Sequence, residues 1–232
     1  KGFEVILIVP EDEFTPRLKT LEVTVNIVKI SGQGMNPVKE LVLFFRYLSL
    51  LKSGIHCFLG FTIKPVLYGG IAAWLLRVPT IPTITGLGTV FVQEVRWRVL
   101  AEFAYKIALA SPRSVFFQNP DDRNLFLEKD LVKSHQARIV GGSGVDLAEF
   151  RLSPLSERKK PDESVQFLMV ARLLKDKGVC EFIEAAKLIL QNKRPAKFLL
   201  VGPLDDGNPN SVKREVIESA VLDGVIEFKQ FQ

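Results

Sequence analysis

Three cations and a glycine follow an apolar run in the second half of the chain. Residues 167–171 (FLMVA) are apolar and predict a buried strand, and apolar residues recur at helical spacing from residue 179 onward. The turn between strand and helix contains Arg172, Lys175, Lys177 and Gly178. The chemistry that this pattern favours is anion binding at the point where the strand ends.

Arginine and lysine bind anions in different ways, and this turn offers both. The guanidinium of Arg172 presents a planar fork for phosphate oxygens, whereas the ammonium of Lys177 is a compact charge. The helix that starts near Gly178 adds free N–H groups and a positive dipole end. A diphosphate site is therefore predicted here, with an ordinary solvated surface loop as the alternative.

A second strand end follows at residues 199–209 (LLVGPLDDGNP). Gly202 and Pro203 are predicted to let the backbone meet the edge of a nucleobase. Asp205 and Asp206 invite a metal-binding interpretation, but Asp, Gly, Asn and Pro together are typical of a polar turn. No His, Cys, Asp or Glu cluster has metal-ligand spacing, so no metal site is predicted.

The first half of the chain has two further candidate strand ends. In TITGLG (residues 83–88), Thr85, Gly86 and Gly88 follow a strand and allow close backbone approach to a ligand. The pattern is not a G-x-G-x-x-G that opens a helix, so a nicotinamide cofactor is not supported. In GFTIKP, Thr62 and Lys64 follow another strand and can contact a phosphate or a sugar.

Strand-like and helix-like segments alternate along the whole chain, which predicts an α/β protein with parallel sheets. Two Rossmann-like domains are predicted, at residues 1–145 and 165–232, with a linker at 146–164 that contains two prolines. Ligands of such sheets bind beyond the carboxyl ends of the strands, so the cleft between two lobes is the expected site. The hinge is assigned to Gly142, Ser143 and Gly144.

The net charge of +5 lies entirely in residues 1–145. A basic face attracts the phosphates of lipids or nucleotides, although solvated surface charge is the alternative. Residues 95–106 (VRWRVLAEFAYK) interleave cations with aromatic rings, which suits either a membrane surface or an amphipathic core helix. No recognised nucleic-acid-binding motif appears, so nucleic acid is not an expected partner.

Six stretches, in this order and spacing, resemble the family 4 glycosyltransferases, and the resemblance covers nearly the whole chain. They are FTIKPVLYGG, ITGLG, FFQNPDDRNLF, GSGVDLAEF, VARLLKDKG and FLLVGPLDDGNP. The set is most similar to the bacterial capsule and O-antigen enzymes that act on lipid-linked sugars.

The resemblance implies a GT-B fold, with two Rossmann-like domains and a nucleotide-sugar in the cleft between them. It implies a retaining transferase that needs no metal and no cofactor. Arg172 and Lys177 match the pair that grips the donor diphosphate, Gly202 and Pro203 match the loop near the base, and Gly142 lies in the segment that leads into the interdomain connection. The basic first domain is implied to dock on the membrane, at its cytoplasmic face.

This sequence departs from the family pattern in two ways that affect its predicted activity. Thr85-Gly86 falls where many relatives have His-Gly, so the usual sugar-contacting histidine is absent. The family also begins with a strand and a Gly-rich turn before the part that matches residues 1–10, and later carries two glutamates in an E-x7-E pattern. A chain truncated at both ends, with an incomplete second domain and little or no activity of its own, is therefore expected.

The predicted reaction is transfer of a sugar, an N-acetylhexosamine, from a UDP-sugar to an acceptor linked to undecaprenyl diphosphate, in the synthesis of a surface polysaccharide. UDP and the lipid carrier come from the resemblance. One alternative is a non-catalytic protein that binds sugar phosphates on a GT-B scaffold. Another is a nucleotide-sugar epimerase, which works without an acceptor.

Overall fold

A computed structural model describes residues 2–30, 36–87, 95–152, 164–204, 208 and 210–230, with the side chains of α4 described from Arg98 onward. The chain divides into two compact units, Lys1–Leu147 and Ala148–Gln232. The first predicted domain, residues 1–145, ends within two residues of this division. Most of the predicted linker lies outside the described residues.

The first unit contains two parallel sheets. A two-stranded sheet pairs β1 (Ile6–Val9) with β2 (Thr24–Ile27). A four-stranded sheet has the order β3-β4-β5-β6, with strands β3 (Phe58–Phe61), β4 (Thr80–Ile84), β5 (Val115–Phe117) and β6 (Ala137–Ile139). Because all four strands are parallel, their carboxyl ends lie along one edge of the sheet.

The helices of the first unit are α1 (Thr15–Leu18), α2 (Pro37–Leu51), α3 (Gly70–Leu76), α4 (Val95–Ala108) and α5 (Pro120–Glu128). A π-helical turn, Pro65–Gly69, leads directly into α3. Helix α2 begins where the Asn36 side chain accepts hydrogen bonds from the backbone N–H groups of Val38 and Lys39. Among the elements described in this unit, the sequence pattern missed the short helix α1, since four residues are too few to show a period.

Helix α5 is capped by an asparagine. Its N-cap is Asn119, whose Oδ1 accepts from the Asp122 backbone N–H at 2.8 Å. Pro120 occupies the first helical turn, where its missing N–H costs no hydrogen bond. The residue before a proline favours extended geometry, so the chain enters the helix at Asn119.

The core of the first unit joins its sheets to its helices. Around β5, the buried ring of Phe126 contacts the rings of Tyr105 and Phe117 edge to face. A second cluster packs Tyr47 of α2 against Phe58 of β3. These clusters fix the sheet edge on which the candidate residues lie.

The second unit is a three-stranded parallel sheet with the order β7-β8-β9 and two helices. Its elements are β7 (Val165–Val170), α6 (Val179–Gln191), β8 (Ala196–Val201), α7 (Arg214–Leu222) and β9 (Glu227–Lys229). Ile183 of α6 and Ile217 of α7 pack with Phe198 and Leu200 of β8 in one core. The predicted alternation of strands and helices, and the parallel α/β class, are confirmed in both units.

The burial predicted for the first strand of this unit is wrong. Leu168 and Val170 of β7 are 60% and 67% exposed. In the described part of the chain β7 is an edge strand that pairs only with β8. Two of its side chains contact the core: Met169 packs against the cluster, and Phe167 stacks on Phe198 with ring centroids 4.9 Å apart. An apolar run predicts a strand, but the number of neighbouring strands decides how far that strand is buried.

No helix among the described residues is both long enough and apolar enough to cross a bilayer.

Candidate functional site

The loop after β7 turns its cations outward because its leucines point inward. Leu173 and Leu174 are 0% and 4% exposed, whereas Arg172 and Lys177 are exposed. A 3-10 turn, Lys175–Lys177, follows. The two buried leucines therefore hold the backbone while the basic side chains around them face solvent.

Gly178 joins this turn to helix α6 in a left-handed conformation, with φ of 80°. Glycine suits that φ, which other residues rarely adopt. Gly178 occupies the N-cap position, has no side chain to cap the helix, and is followed by fully buried Val179. The first N–H groups of a thirteen-residue helix thus lie beside Arg172 and Lys177 in sequence, an arrangement that favours an anion.

Lys177 has a carboxylate neighbour, but the contact between them is loose. Its Nζ lies 3.9 Å from Oδ2 of Asp176, and the two side chains are 46% and 53% exposed. Exposed pairs of this kind contribute little stability, typically below about 1 kcal/mol. The charge of Lys177 is therefore only weakly offset within the described residues.

The loop after β8 lies directly against the loop after β7. A Cβ atom added to Gly202 would lie 1.8 Å from the carbonyl oxygen of Ala171, so only glycine fits there. The Leu173 backbone N–H donates to the Pro203 carbonyl at 3.4 Å. The structure thus brings Gly202 and Pro203 together with the Arg172 loop, and it gives Gly202 a packing role. Contact with a nucleobase stays a prediction.

At the edge of the first unit, the structure places Thr62 after β3 and Thr85-Gly86 after β4. These strands are adjacent and parallel, so the residues share one edge as expected. Thr62 has φ of 64°, which is unusual for a β-branched residue and marks local strain. Gly88 lies outside the described residues.

Lys64, which was also predicted at this edge, is held in an ion pair. Its Nζ lies 2.5 Å from Oε1 of Glu40, and the two side chains are only 19% and 9% exposed. Burial, and then the nearby Glu40 carboxylate, raise the pKa of Tyr68 to about 12. Sequence reasoning missed Glu40, because a single glutamate in the first turn of a helix carries no signal for a partner 24 residues away.

The predicted hinge residues follow β6. Gly142 and Gly144 both adopt left-handed φ angles, of 84° and 76°. The Gln118 side-chain amide donates to Ser143 Oγ at 3.2 Å, which ties this segment to the end of β5. A hinge motion at these residues stays a prediction.

Within the described ranges, no three His, Cys, Asp or Glu side chains are grouped so that they could hold a metal ion. Asp205 and Asp206 lie outside those ranges.

Comparison with solved structures defines the fold. The chain is similar to Anabaena Alr3699/HepE, solved in complex with UDP-glucose, with a TM-score of 0.70 at 16% identity over 98% of this chain and 61% of that chain. At this identity the likeness concerns the fold alone. The α/β fold of the GT-B kind, built from Rossmann-like parallel sheets, is confirmed.

Comparison with family models and characterised proteins then gives the family resemblance. Residues 155–232, about a third of the chain, match the family described as glycosyl transferases group 1. The chain is 28% identical, over 94% of its length, to the N,N'-diacetylbacillosaminyl-diphospho-undecaprenol alpha-1,3-N-acetylgalactosaminyltransferase of Campylobacter jejuni. It is 27% identical, over 63% of its length, to the capsular polysaccharide biosynthesis glycosyltransferase CapM of Staphylococcus aureus.

The chain spans 61% of the Campylobacter protein and 40% of CapM. The resemblance that the sequence motifs indicate, to bacterial glycosyltransferases of surface polysaccharide synthesis, is confirmed. The matched segment contains the loop with Arg172, Lys177 and Gly178 and the neighbouring loop with Gly202.

Proposed function

We propose that this chain is part of a retaining glycosyltransferase of surface polysaccharide synthesis. It moves an N-acetylhexosamine from a UDP-sugar to an acceptor linked to undecaprenyl diphosphate. The observation that carries the proposal is the loop after β7, where Arg172 and Lys177 are exposed in the segment that leads into helix α6, whose N-cap Gly178 has no side chain to cap it. The named activity of the Campylobacter relative supports the choice of sugar and acceptor.

In this proposal the two cations act on the leaving group. The acceptor hydroxyl oxygen bonds to the anomeric carbon on the face that the leaving group vacates, while the bond from that carbon to the diphosphate oxygen breaks. The nucleoside diphosphate departs with the electron pair and takes up the proton of the acceptor hydroxyl. Negative charge grows on the diphosphate as it leaves. Arg172, Lys177 and the N–H groups of α6 stabilise that charge more in the transition state than in the bound donor.

Neither a metal ion nor a cofactor is part of the proposal. Two side-chain cations and a helix N-terminus together supply the positive charge that a divalent ion supplies at other diphosphate sites. Transfer is therefore expected to continue in the presence of a chelator.

The proposed acceptor is a membrane lipid, and helix α4 offers a surface that suits the membrane. Val99, Leu100 and Phe103 are 58%, 53% and 62% exposed, and Lys106 is exposed on the same helix. Tyr105 is fully buried, so α4 packs against the core on one side and presents apolar groups on the other. We propose that this outer side contacts the inner face of the cell membrane, which makes the enzyme cytoplasmic and peripheral. Loss of vesicle binding in Phe103→Asp would support this, and unchanged binding would refute it.

The transfer reaction is tested with the complete reading frame that contains this chain. Membranes that carry the lipid-linked acceptor are mixed with a radiolabelled UDP-N-acetylhexosamine. Arg172→Ala and Lys177→Ala are each expected to slow transfer by about 100-fold, since one lost contact to a developing anion costs about 3 kcal/mol. The matched control is Lys187→Ala, a lysine of helix α6 that is paired with Glu184 at 2.9 Å, and this variant should leave the rate unchanged.

Three results would replace the proposal. Equal rates for wild type and both loop variants would remove Arg172 and Lys177 from the mechanism. Conversion of the UDP-sugar without acceptor would indicate an epimerase. Binding of the nucleotide with no conversion at all would indicate a non-catalytic binding protein.

A further inference from the structure

This inference rests on the proposed diphosphate site. We infer that Asn210 is a positioning residue that holds the carboxylate of Asp176 away from Lys177, so that the lysine stays available to the diphosphate.

Asn210 contacts the 3-10 turn at two points. Its backbone carbonyl accepts a hydrogen bond from the Lys175 N–H at 2.9 Å. Its side-chain Nδ2 donates to Oδ1 of Asp176 at 2.5 Å, across 34 residues of sequence. Both contacts fall on the turn that carries Lys177.

The segment around Asn210 is itself fixed to the same loop. Leu174 and Ser211 form an isolated antiparallel bridge, and the Val212 N–H donates to the Leu173 carbonyl at 2.8 Å. The Asn210 backbone N–H donates to Oδ1 of Asn208 at 3.0 Å, which sets the local turn. The amide of Asn210 is therefore presented to Asp176 from a rigid backbone.

Asp176 has two carboxylate oxygens with different contacts. Oδ1 accepts from Asn210, while Oδ2 lies 3.9 Å from the Lys177 ammonium. A direct lysine–carboxylate hydrogen bond has a length of about 2.7–2.9 Å, so the observed distance leaves the pair apart. If the amide were lost, the carboxylate would be free to close on Lys177 and compete with the diphosphate for its charge.

The experiment measures binding of UDP to the 232-residue chain by calorimetry, for wild type, Asn210→Ala, Asp176→Asn and the double variant. We expect Asn210→Ala to weaken UDP binding about fivefold, which corresponds to one hydrogen bond of about 1 kcal/mol. The double variant should recover wild-type affinity to within about twofold, since it has no carboxylate left to compete. Asn192→Ala is the control, because Asn192 donates only to the Leu188 carbonyl at the far end of α6.

Rescue separates positioning from a merely structural role. If Asn210 only stabilised the loop, the double variant would bind UDP no better than Asn210→Ala, and the inference would be overturned. Unchanged UDP binding in Asn210→Ala would also overturn it. If Asn210→Ala does not fold, Asp176→Asn alone decides: we expect it to bind UDP at least as tightly as wild type, and weaker binding would contradict the inference.

Failure of the proposed function has a different signature. If wild type binds neither UDP nor inorganic pyrophosphate, the diphosphate site itself is overturned. If Lys177→Ala weakens UDP binding but Asn210→Ala does not, the site stands and only the positioning role of Asn210 is lost.

Discussion

Lys64 and Lys177 both follow strand ends, one in each unit, but their surroundings differ. The Lys64 side chain is 19% exposed and lies 2.5 Å from a Glu40 carboxylate that is even less exposed. The Lys177 side chain is 46% exposed and lies 3.9 Å from a carboxylate that another residue already holds. The charge of Lys64 is balanced by an ion pair inside the fold, whereas the charge of Lys177 is only weakly paired at the surface.

This difference separates two roles that the sequence assigned alike. Both lysines were predicted to contact a substrate: Lys177 a diphosphate, and Lys64 a phosphate or a sugar. An ion pair away from solvent is not screened, so Glu40 competes strongly with any phosphate for Lys64. Among the described residues, Lys177 has no such competitor while Asn210 holds Asp176. Of the two lysines, Lys177 is therefore the better candidate for binding the diphosphate. The ion pair between Lys64 and Glu40 instead connects α2 to the turn before α3.

The largest expected effect is on stability, from removal of the Glu40 carboxylate. Glu40→Ala leaves the Lys64 ammonium without its partner in a mostly buried position, and we expect a loss of about 3 kcal/mol in the free energy of unfolding. Chemical denaturation followed by circular dichroism measures it. Lys177→Ala, which breaks only the exposed contact with Asp176, should change the same quantity by less than about 1 kcal/mol.

The double variant Glu40→Ala with Lys64→Met tests the cause. Replacing both charges by apolar groups should recover most of the lost stability, because no buried charge is left unpaired. If Glu40→Ala and Lys177→Ala were equally mild, the contrast between the two lysines would be wrong.

A smaller effect is expected where the second unit relies on backbone packing. Gly202→Ala would push a methyl group into the Ala171 carbonyl, and we expect destabilisation of about 2 kcal/mol, with faster hydrogen exchange of the amides in β7 and β8. Gly141→Ala is the control, since a Cβ there meets no atom within 4 Å. Equal exchange in the two variants would show that the loops after β7 and β8 do not need their close approach.

Sequence reasoning recovered what local patterns encode. The alternation of apolar strands and amphipathic helices predicted the strands and the longer helices of both units, and parallel strands then placed Thr62 beside Thr85 without further information. Even Pro82 in β4 did not disturb the assignment, since the flanking residues kept the strand pattern. The cations of the loop after β7 were visible because strand, turn and helix are consecutive in the chain.

What the sequence could not show are contacts between distant residues. Glu40 meets Lys64 across 24 residues and Asp176 meets Asn210 across 34, and no composition or period reports such pairs. Gly202 was interpreted as a ligand contact, whereas the structure shows that the backbone of Ala171 already needs its missing side chain. Glycine spacing indicates close approach but does not say which group approaches.

The smallest expected effect concerns Tyr68, which reports on the charge of Glu40. Burial and then the Glu40 carboxylate raise the Tyr68 pKa to about 12, above the ordinary value of about 10. Glu40→Gln removes the second cause but not the first, so the Tyr68 pKa should fall while staying above the ordinary value. Because the folded state holds this proton more tightly than the unfolded state, its contribution to stability is complete below about pH 10 and is lost as the pH rises through about 12. Ultraviolet titration of tyrosinate, in a Tyr47→Phe background that removes another tyrosine with a raised pKa, measures the shift.

An unchanged Tyr68 pKa in Glu40→Gln would mean that Lys64 already cancels the charge of Glu40 completely. The two lysines would then differ even more than their distances to the neighbouring carboxylates indicate, since the charge of Lys64 would be fully balanced by Glu40 and could not attract a substrate.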